Sequence, residues 1–203
     1  MLLYDSKFAP NPRRVRMFLA EKGVSVPTQA VDLGKLEQKQ DSFRAINPIQ
    51  RIPALQLDDG TVISESIAIC RYFEEMHPQP PLFGRNALEK ALVEMWQRRL
   101  EMHFLLPIAM VFRHTHPAMR EMENPQIPLV AETNAPRVAE FLEYFDSHLQ
   151  NSRFSAGDEF SVADITGIVA FDFMRPARLT APAHLTNLQR WREEVAARPS
   201  ASA

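Results

Sequence analysis

Arg51-Ile52-Pro53-Ala54-Leu55-Gln56-Leu57-Asp58-Asp59-Gly60-Thr61-Val62-Ile63-Ser64-Glu65-Ser66-Ile67-Ala68-Ile69 joins a hairpin directly to a helix start. Ala54–Leu57 and Thr61–Ile63 are short apolar runs around Asp58-Asp59-Gly60, a turn sequence that tolerates the positive φ angles of a tight hairpin. A helix is expected from about Glu65 to Met76, ended by His77-Pro78, because the residue before a proline is pushed out of the helical region. Ser64 reads as its N-cap, with the acidic Glu65 in the first turn. Upstream, Leu2-Leu3-Tyr4 and Gln29–Leu33 read as strands. Between them, Asn11-Pro12 reads as N-cap and first residue of a helix that runs to Lys22 and stops at Gly23. Val15, Phe18 and Leu19 share one face of that helix. Strands alternating with helical patterns up to about residue 80 indicate an α/β unit.

The texture then changes. Pro78 to Gly84 holds Pro78, Pro80 and Pro81 and reads as a linker. Beyond it the pattern is helical. Leu88, Leu92, Met95, Trp96 and Arg99 are spaced for one amphipathic helix, and Val138, Phe141, Leu142 and Phe145 for another. In Phe160-Ser161-Val162-Ala163-Asp164-Ile165, Ser161 and Asp164 form a capping box, with Phe160 placed to staple onto Ile165. Leu185, Leu188, Trp191 and Val195 outline a last helix. The expected architecture is α+β followed by all-α, with domains at 1–78 and 85–203 and a linker at 79–84.

Composition narrows the function classes. The chain has 203 residues, 23 Lys+Arg against 25 Asp+Glu, a formal net charge of −2 and 45% hydrophobic residues. That length buries a sizeable core without staples. Charge is even along the chain, with 10 basic and 10 acidic residues in 1–80, so no nucleic-acid footprint is expected. The densest positive cluster, Arg13, Arg14 and Arg16, reads as a solvated helix face. The single Cys70 excludes an intrachain disulfide and a CxxC motif, in keeping with a cytoplasmic setting. The longest apolar run, Phe104–Phe112, is too short to span a bilayer, and no signal peptide is expected. His114 and His116, two residues apart, do not share a helix face, and no metal site is expected. Gly-rich nucleotide motifs and GxSxG are absent.

The order Ile52-Pro53-Ala54-Leu55, then Glu65-Ser66-Ile67-Ala68, then Ser161-Val162-Ala163-Asp164 resembles the glutathione transferase superfamily, cytosolic type. Asn47-Pro48, Arg14-Val15-Arg16 and Leu19-Ala20-Glu21-Lys22-Gly23 add to the resemblance. It implies a thioredoxin-like N-terminal domain, an all-helical C-terminal domain, glutathione as co-substrate and a homodimer. A cis Ile52-Pro53 bond would leave the Ile52 backbone free to pair with an extended peptide; an ordinary trans proline ahead of a strand is the alternative. The resemblance implies that Ser66 donates to the γ-glutamyl carboxylate at a helix N-terminus and that Glu65 pairs with its ammonium. Gln38 and Arg51 stand where the glycyl end would lie, and Pro53 completes the glutathione-binding set.

The thiol end departs from the family. Ala9 occupies the usual Ser or Cys position and has no donor, yet a thiol of pKa near ~8.5 must be converted to thiolate. Asn11 is the leading candidate: Pro10-Asn11 resembles the bacterial nu-like branch, where an asparagine contacts the thiol. Ser6 is the fallback hydroxyl, and Tyr4 reads as a packed strand residue. Met102, Leu106, Met110, Phe112 and Phe171, with Arg113 as polar accent, are candidates for the second-substrate pocket. The function expected is attack of bound glutathione thiolate on a small electrophile, as in detoxification. The alternatives are glutathione-dependent disulfide reduction and a non-catalytic ligand- or protein-binding role. Asp164 reads as structural, and Asp164→Ala is expected to cost ~1 kcal/mol as a lost cap.

Overall fold

The computed structural model describes residues 1–203, which divide into two compact units, Met1–Pro81 with Pro199–Ala203, and Leu82–Arg198. The last five residues thus cluster with the first unit, where Arg13 Nη2 donates to the Ala201 carbonyl at 3.0 Å and the Ser200 hydroxyl donates to Glu21. Leu82 and Phe83, within the segment read as a linker, are buried.

The first unit contains β1 (Leu2–Asp5), α1 (Pro10–Lys22), β2 (Thr28–Ala30), the one-turn α2 (Asp41–Arg44), β3 (Ala54–Gln56), β4 (Val62–Ser64) and α3 (Ser66–Met76). The four strands lie in the order β2-β1-β3-β4. β1 and β2 are parallel, and β3 is antiparallel to both of its neighbours. The register pairs Tyr4 with Ala54, Ala54 with Ser64, and Asp5 with Ala30. The ends of β1, β2 and β4 and the start of β3 therefore share one edge, and the loops there open side by side. Apolar residues of α1, α3 and the sheet fill the core, among them Leu3, Val15, Phe18, Leu55, Ile69 and Phe73.

α1 begins two residues earlier than expected, at Pro10 instead of Pro12, with Ala9 as an extended N-cap. Proline is pre-set for the first helical position and has no N–H to lose there; of the two prolines it is Pro10 that takes this position, which leaves Asn11 inside the first turn. Gly23 ends the helix at φ 64°, a left-handed conformation that favours glycine. At α3 the N-cap is Glu65 rather than Ser64. The arginine cluster is not a solvated face either. Arg14 is buried, and Arg16 ties down the β1–α1 loop, with Nη1 to Asp5 Oδ1 at 2.6 Å and Nη2 to the Lys7 carbonyl at 3.0 Å.

The second unit contains α4 (Ala87–Leu100), α5 (Leu106–Thr115), α6 (Pro128–Leu149), α7 (Val162–Phe173) and α8 (Thr186–Ala196). Between α4 and α5 the backbone widens over Glu101–Leu105, where Pro107 has no N–H to continue the ladder. The α4 stripe is shifted from the one expected: Val93, Trp96, Gln97 and Leu100 are inward, while Leu88 is 69% exposed. A buried glutamine disguised the inner face; Gln97 Oε1 accepts from the Thr166 hydroxyl of α7 at 2.8 Å. Helix α7 is the centre of the unit, buried from Val162 through Ala170. The Trp191 ring lies so close to Gly167 that a Cβ there would meet it at 2.9 Å. The Ser161–Asp164 capping box forms as expected. No helix is long and apolar enough to cross a membrane.

Candidate functional site

The shared sheet edge gathers most of the candidate residues. The β3–β4 ladder starts at Ala54 and Ser64, so Ile52 lies just beyond the paired register. Its N–H and C=O take no part in the loop's backbone hydrogen bonds. The Ile52–Pro53 bond is cis, and both residues are buried. Asn47 shapes the approach: its Nδ2 donates to the Arg51 carbonyl at 2.7 Å and its Oδ1 accepts from the Ile49 N–H at 3.2 Å. Its role was not legible beyond the Asn47-Pro48 pair, because the partners are fixed only once the loop closes.

Directly across the hairpin, Glu65 holds φ 67° and ψ 117°. A positive φ is unfavourable for a residue with a Cβ, and such strain concentrates where a loop must present a group in a set direction. The next residue, Ser66, is buried, and its hydroxyl has no hydrogen bond within the chain. In the first turn of α3, the earliest amide engaged by a carbonyl is that of Ile69, bonded to Glu65. The N–H groups of Ser66, Ile67 and Ala68 are therefore open. Three open amides, a hydroxyl and the positive end of the helix dipole form a pocket for a carboxylate. Gln38, in the loop after β2, is 1% exposed, whereas Arg51 is exposed.

The N-terminus of α1 is built differently. Pro10 and Pro12 have no N–H, the Ala9 N–H is donated to the Ser6 carbonyl at 3.1 Å, and the Arg13 N–H to the Ala9 carbonyl at 3.3 Å. The one open amide of that turn belongs to Asn11, an exposed residue. Ser6 is half-buried at the start of the same loop. Tyr4 is engaged within the sheet through its hydroxyl and is not a thiol donor. Its ring packs edge-on to Phe43 at 5.7 Å, and its hydroxyl donates to Gln56 Oε1 at 3.1 Å.

In the second unit a groove of about 740 Å³ is lined by Met102, Leu106 and Met110, together with Arg99, Phe141 and Tyr144. Arg113 does not line it; its Nε donates to Glu123 Oε2 at 2.5 Å. Phe112 packs against Phe173 and His116, and Phe171 lies under the Arg192 guanidinium in a separate cavity of about 600 Å³. His114 and His116 each accept a backbone N–H through Nδ1.

Cys70, in the middle of α3, is fully buried, and burial pushes its thiol up from 9.0 to about 12. At pH 8 only about 1 in 10⁴ of the native thiol is ionised. Labelling by a disulfide reagent is expected to be at least about 100-fold slower in the native protein than in urea. Equal rates would place Cys70 at the surface. The unfolded thiol gives up its proton near 9 and the native one only near 12. The fold is therefore expected to lose stability as pH rises through that interval and to be insensitive to Cys70 below it.

Comparison with known proteins follows the same outline. Residues 8–76 match the family model for the glutathione S-transferase N-terminal domain, and residues 107–199 that for the C-terminal domain. Glutathione S-transferase 2 of Saccharomyces cerevisiae is 36% identical over 203 residues, covering 98% of this chain and 87% of the relative. Glutathione S-transferase 3 of Zea mays is 33% identical over 207 residues, covering 98% of this chain and 90% of the relative. The crystal structure of a glutathione S-transferase domain-containing protein from Marinobacter aquaeolei VT8 superposes with a TM-score of 0.95. It is 36% identical, covering 98% of this chain and 99% of that one.

Proposed function

The chain belongs to the glutathione S-transferase family, and on that premise we propose that its sheet edge binds glutathione and delivers the thiolate to a small electrophile. The reaction is a conjugation: the sulfur forms a bond to the electrophilic carbon, the leaving group departs with the bonding pair, and the thiol proton passes to solvent. In this reading the γ-glutamyl carboxylate sits on the open amides of α3 and the Ser66 hydroxyl, with its ammonium near Glu65. The Ile52 backbone pairs with the cysteinyl peptide as an added strand, and Pro53 shapes that approach. Gln38 and Arg51 flank the glycyl carboxylate. The observation that carries the reading is the first turn of α3, where three amides and a hydroxyl stand open beside the Ile52 backbone.

Asn11 is the proposed thiol contact, with Ser6 as the alternative. Met102, Leu106 and Met110 are proposed to contact the electrophile. A homodimer in the cytoplasm completes the proposal; exposed Ile49 and Leu88 are apolar surface that a second copy could cover.

Ala9 keeps a second reading open, since a site without a hydroxyl at that position also suits disulfide exchange with glutathione or ligand binding without turnover. The experiment is calorimetric titration with glutathione, followed by turnover of a model aryl halide and of a model disulfide. Binding with aryl-halide turnover is the expected result. Turnover of the disulfide alone would reassign the enzyme as a reductase. Binding with neither activity would favour the ligand-binding role, and no binding would overturn the site.

A further inference from the structure

The buried guanidinium of Arg14 sits behind the proposed thiol contact. It is 3% exposed, and its Nη2 donates to Asn11 Oδ1 at 2.8 Å. An arginine has donors only, so the side of the Asn11 amide that faces it must be the oxygen. This single bond therefore settles the orientation of the amide. With Oδ1 turned back onto Arg14, the Nδ2 hydrogens point away from the guanidinium, on an exposed residue whose own backbone N–H is the one open amide of the turn. Turned the other way, the same amide would present oxygen lone pairs and repel an anion.

We infer that Arg14 is a positioning residue for thiolate formation: it locks Asn11 with its donors outward and so replaces the hydroxyl that Ala9 lacks. The inference rests on reading this edge as a glutathione site. Two features of the sequence make the lock necessary. Pro10 and Pro12 strip the first turn of α1 of amide donors, leaving the helix terminus weaker for an anion than that of α3. Ala9 contributes no side-chain donor. The site is left with two donors, both on Asn11, and one of them is useful only in a single rotamer of the amide. The buried guanidinium lies on α1, which packs against α3, and its positive charge favours the Cys70 thiolate there, against the larger effect of burial.

The test is ultraviolet titration of bound glutathione thiolate in the wild type, Asn11→Ala, Arg14→Met and the double variant, with calorimetry establishing that glutathione binds. Loss of one hydrogen bond to a charged acceptor corresponds to a rise of about one pKa unit, or about tenfold in thiolate stability. Arg14→Met is expected to raise the thiol pKa by about as much as Asn11→Ala, and the double variant by no more than either. An Arg14→Met effect that is absent, or that adds fully to that of Asn11→Ala, overturns the inference while leaving the site intact. Absence of glutathione binding by the wild type overturns the site and the inference together. Because Arg14 is buried, Asn11→Asp provides a comparison that leaves it untouched. Arg14 would hold the new carboxylate in place with its second oxygen toward the sulfur, raising the thiol pKa beyond the Asn11→Ala value. Equal values in Asn11→Asp and Asn11→Ala would mean that position 11 swings free, and would also overturn the inference.

Discussion

Asp164→Ala is expected to destabilise the fold by about 3–5 kcal/mol, well beyond the loss of a helix cap. The carboxylate is fully buried and accepts five hydrogen bonds. Oδ1 takes the Ser155 N–H at 2.8 Å, the Ser155 hydroxyl at 2.7 Å and the Trp191 indole N–H at 2.9 Å. Oδ2 takes the Ser161 N–H at 3.0 Å and the Ser161 hydroxyl at 3.1 Å. Burial pushes the carboxyl above its ordinary range, and these bonds oppose that push. Alanine would leave the donors of the Phe154–Ser161 loop and of α8 in an apolar interior without an acceptor. Only the Ser161 bonds belong to the cap; the Ser155 and Trp191 bonds join three separate segments. For a chain of this length the loss corresponds to a fall in Tm of about 10 °C. Urea titration of the variant measures it directly. A loss near 1 kcal/mol would mean that Asp164 acts as a cap and nothing more.

Ser66→Ala is expected to weaken glutathione binding about 10- to 100-fold while leaving the Tm within about 2 °C of the wild type. The separation of the two effects follows from the cap. Ser66 is the first residue of α3, and Glu65 holds the N-cap position without a side-chain cap bond, so the serine hydroxyl contributes nothing to the helix start. Alanine suits the position equally well. What is lost is a donor to a charged carboxylate at the helix N-terminus. Calorimetry and a thermal melt on the same preparation read both effects. Affinity within twofold of the wild type would remove Ser66 from the site. A large fall in Tm with unchanged affinity would make it a structural residue.

Asp164 lies at the centre of the helical unit and its effect is on folding. Ser66 lies at the rim of the sheet and its effect is on binding. Arg14 stands between these cases, since it is buried yet acts on an exposed neighbour. Its contribution is best read through thiol ionisation, which packing alone would not move.

What the sequence by itself determined is the local chemistry. Asp58-Asp59-Gly60 forms its hairpin, Gly23 and His77-Pro78 end their helices, and Ser161 and Asp164 close their box, because each signal acts within a few residues of chain. The same range covers Ile52-Pro53 and Glu65-Ser66, whose adjacency follows once the hairpin register is known. Tertiary structure decided the rest. Which stripe of α4 turns inward depends on Gln97 meeting Thr166, 69 residues away, and the burial of Arg14, three residues from Asn11, comes from packing and not from spacing. Asp164 makes the point most clearly: its Ser161 partners are three residues away and legible, whereas Trp191 lies 27 residues downstream. Short-range hydrogen bonding is written in residue spacing. The partner of a buried polar group is chosen by packing, because only the assembled interior removes the water that would otherwise serve it.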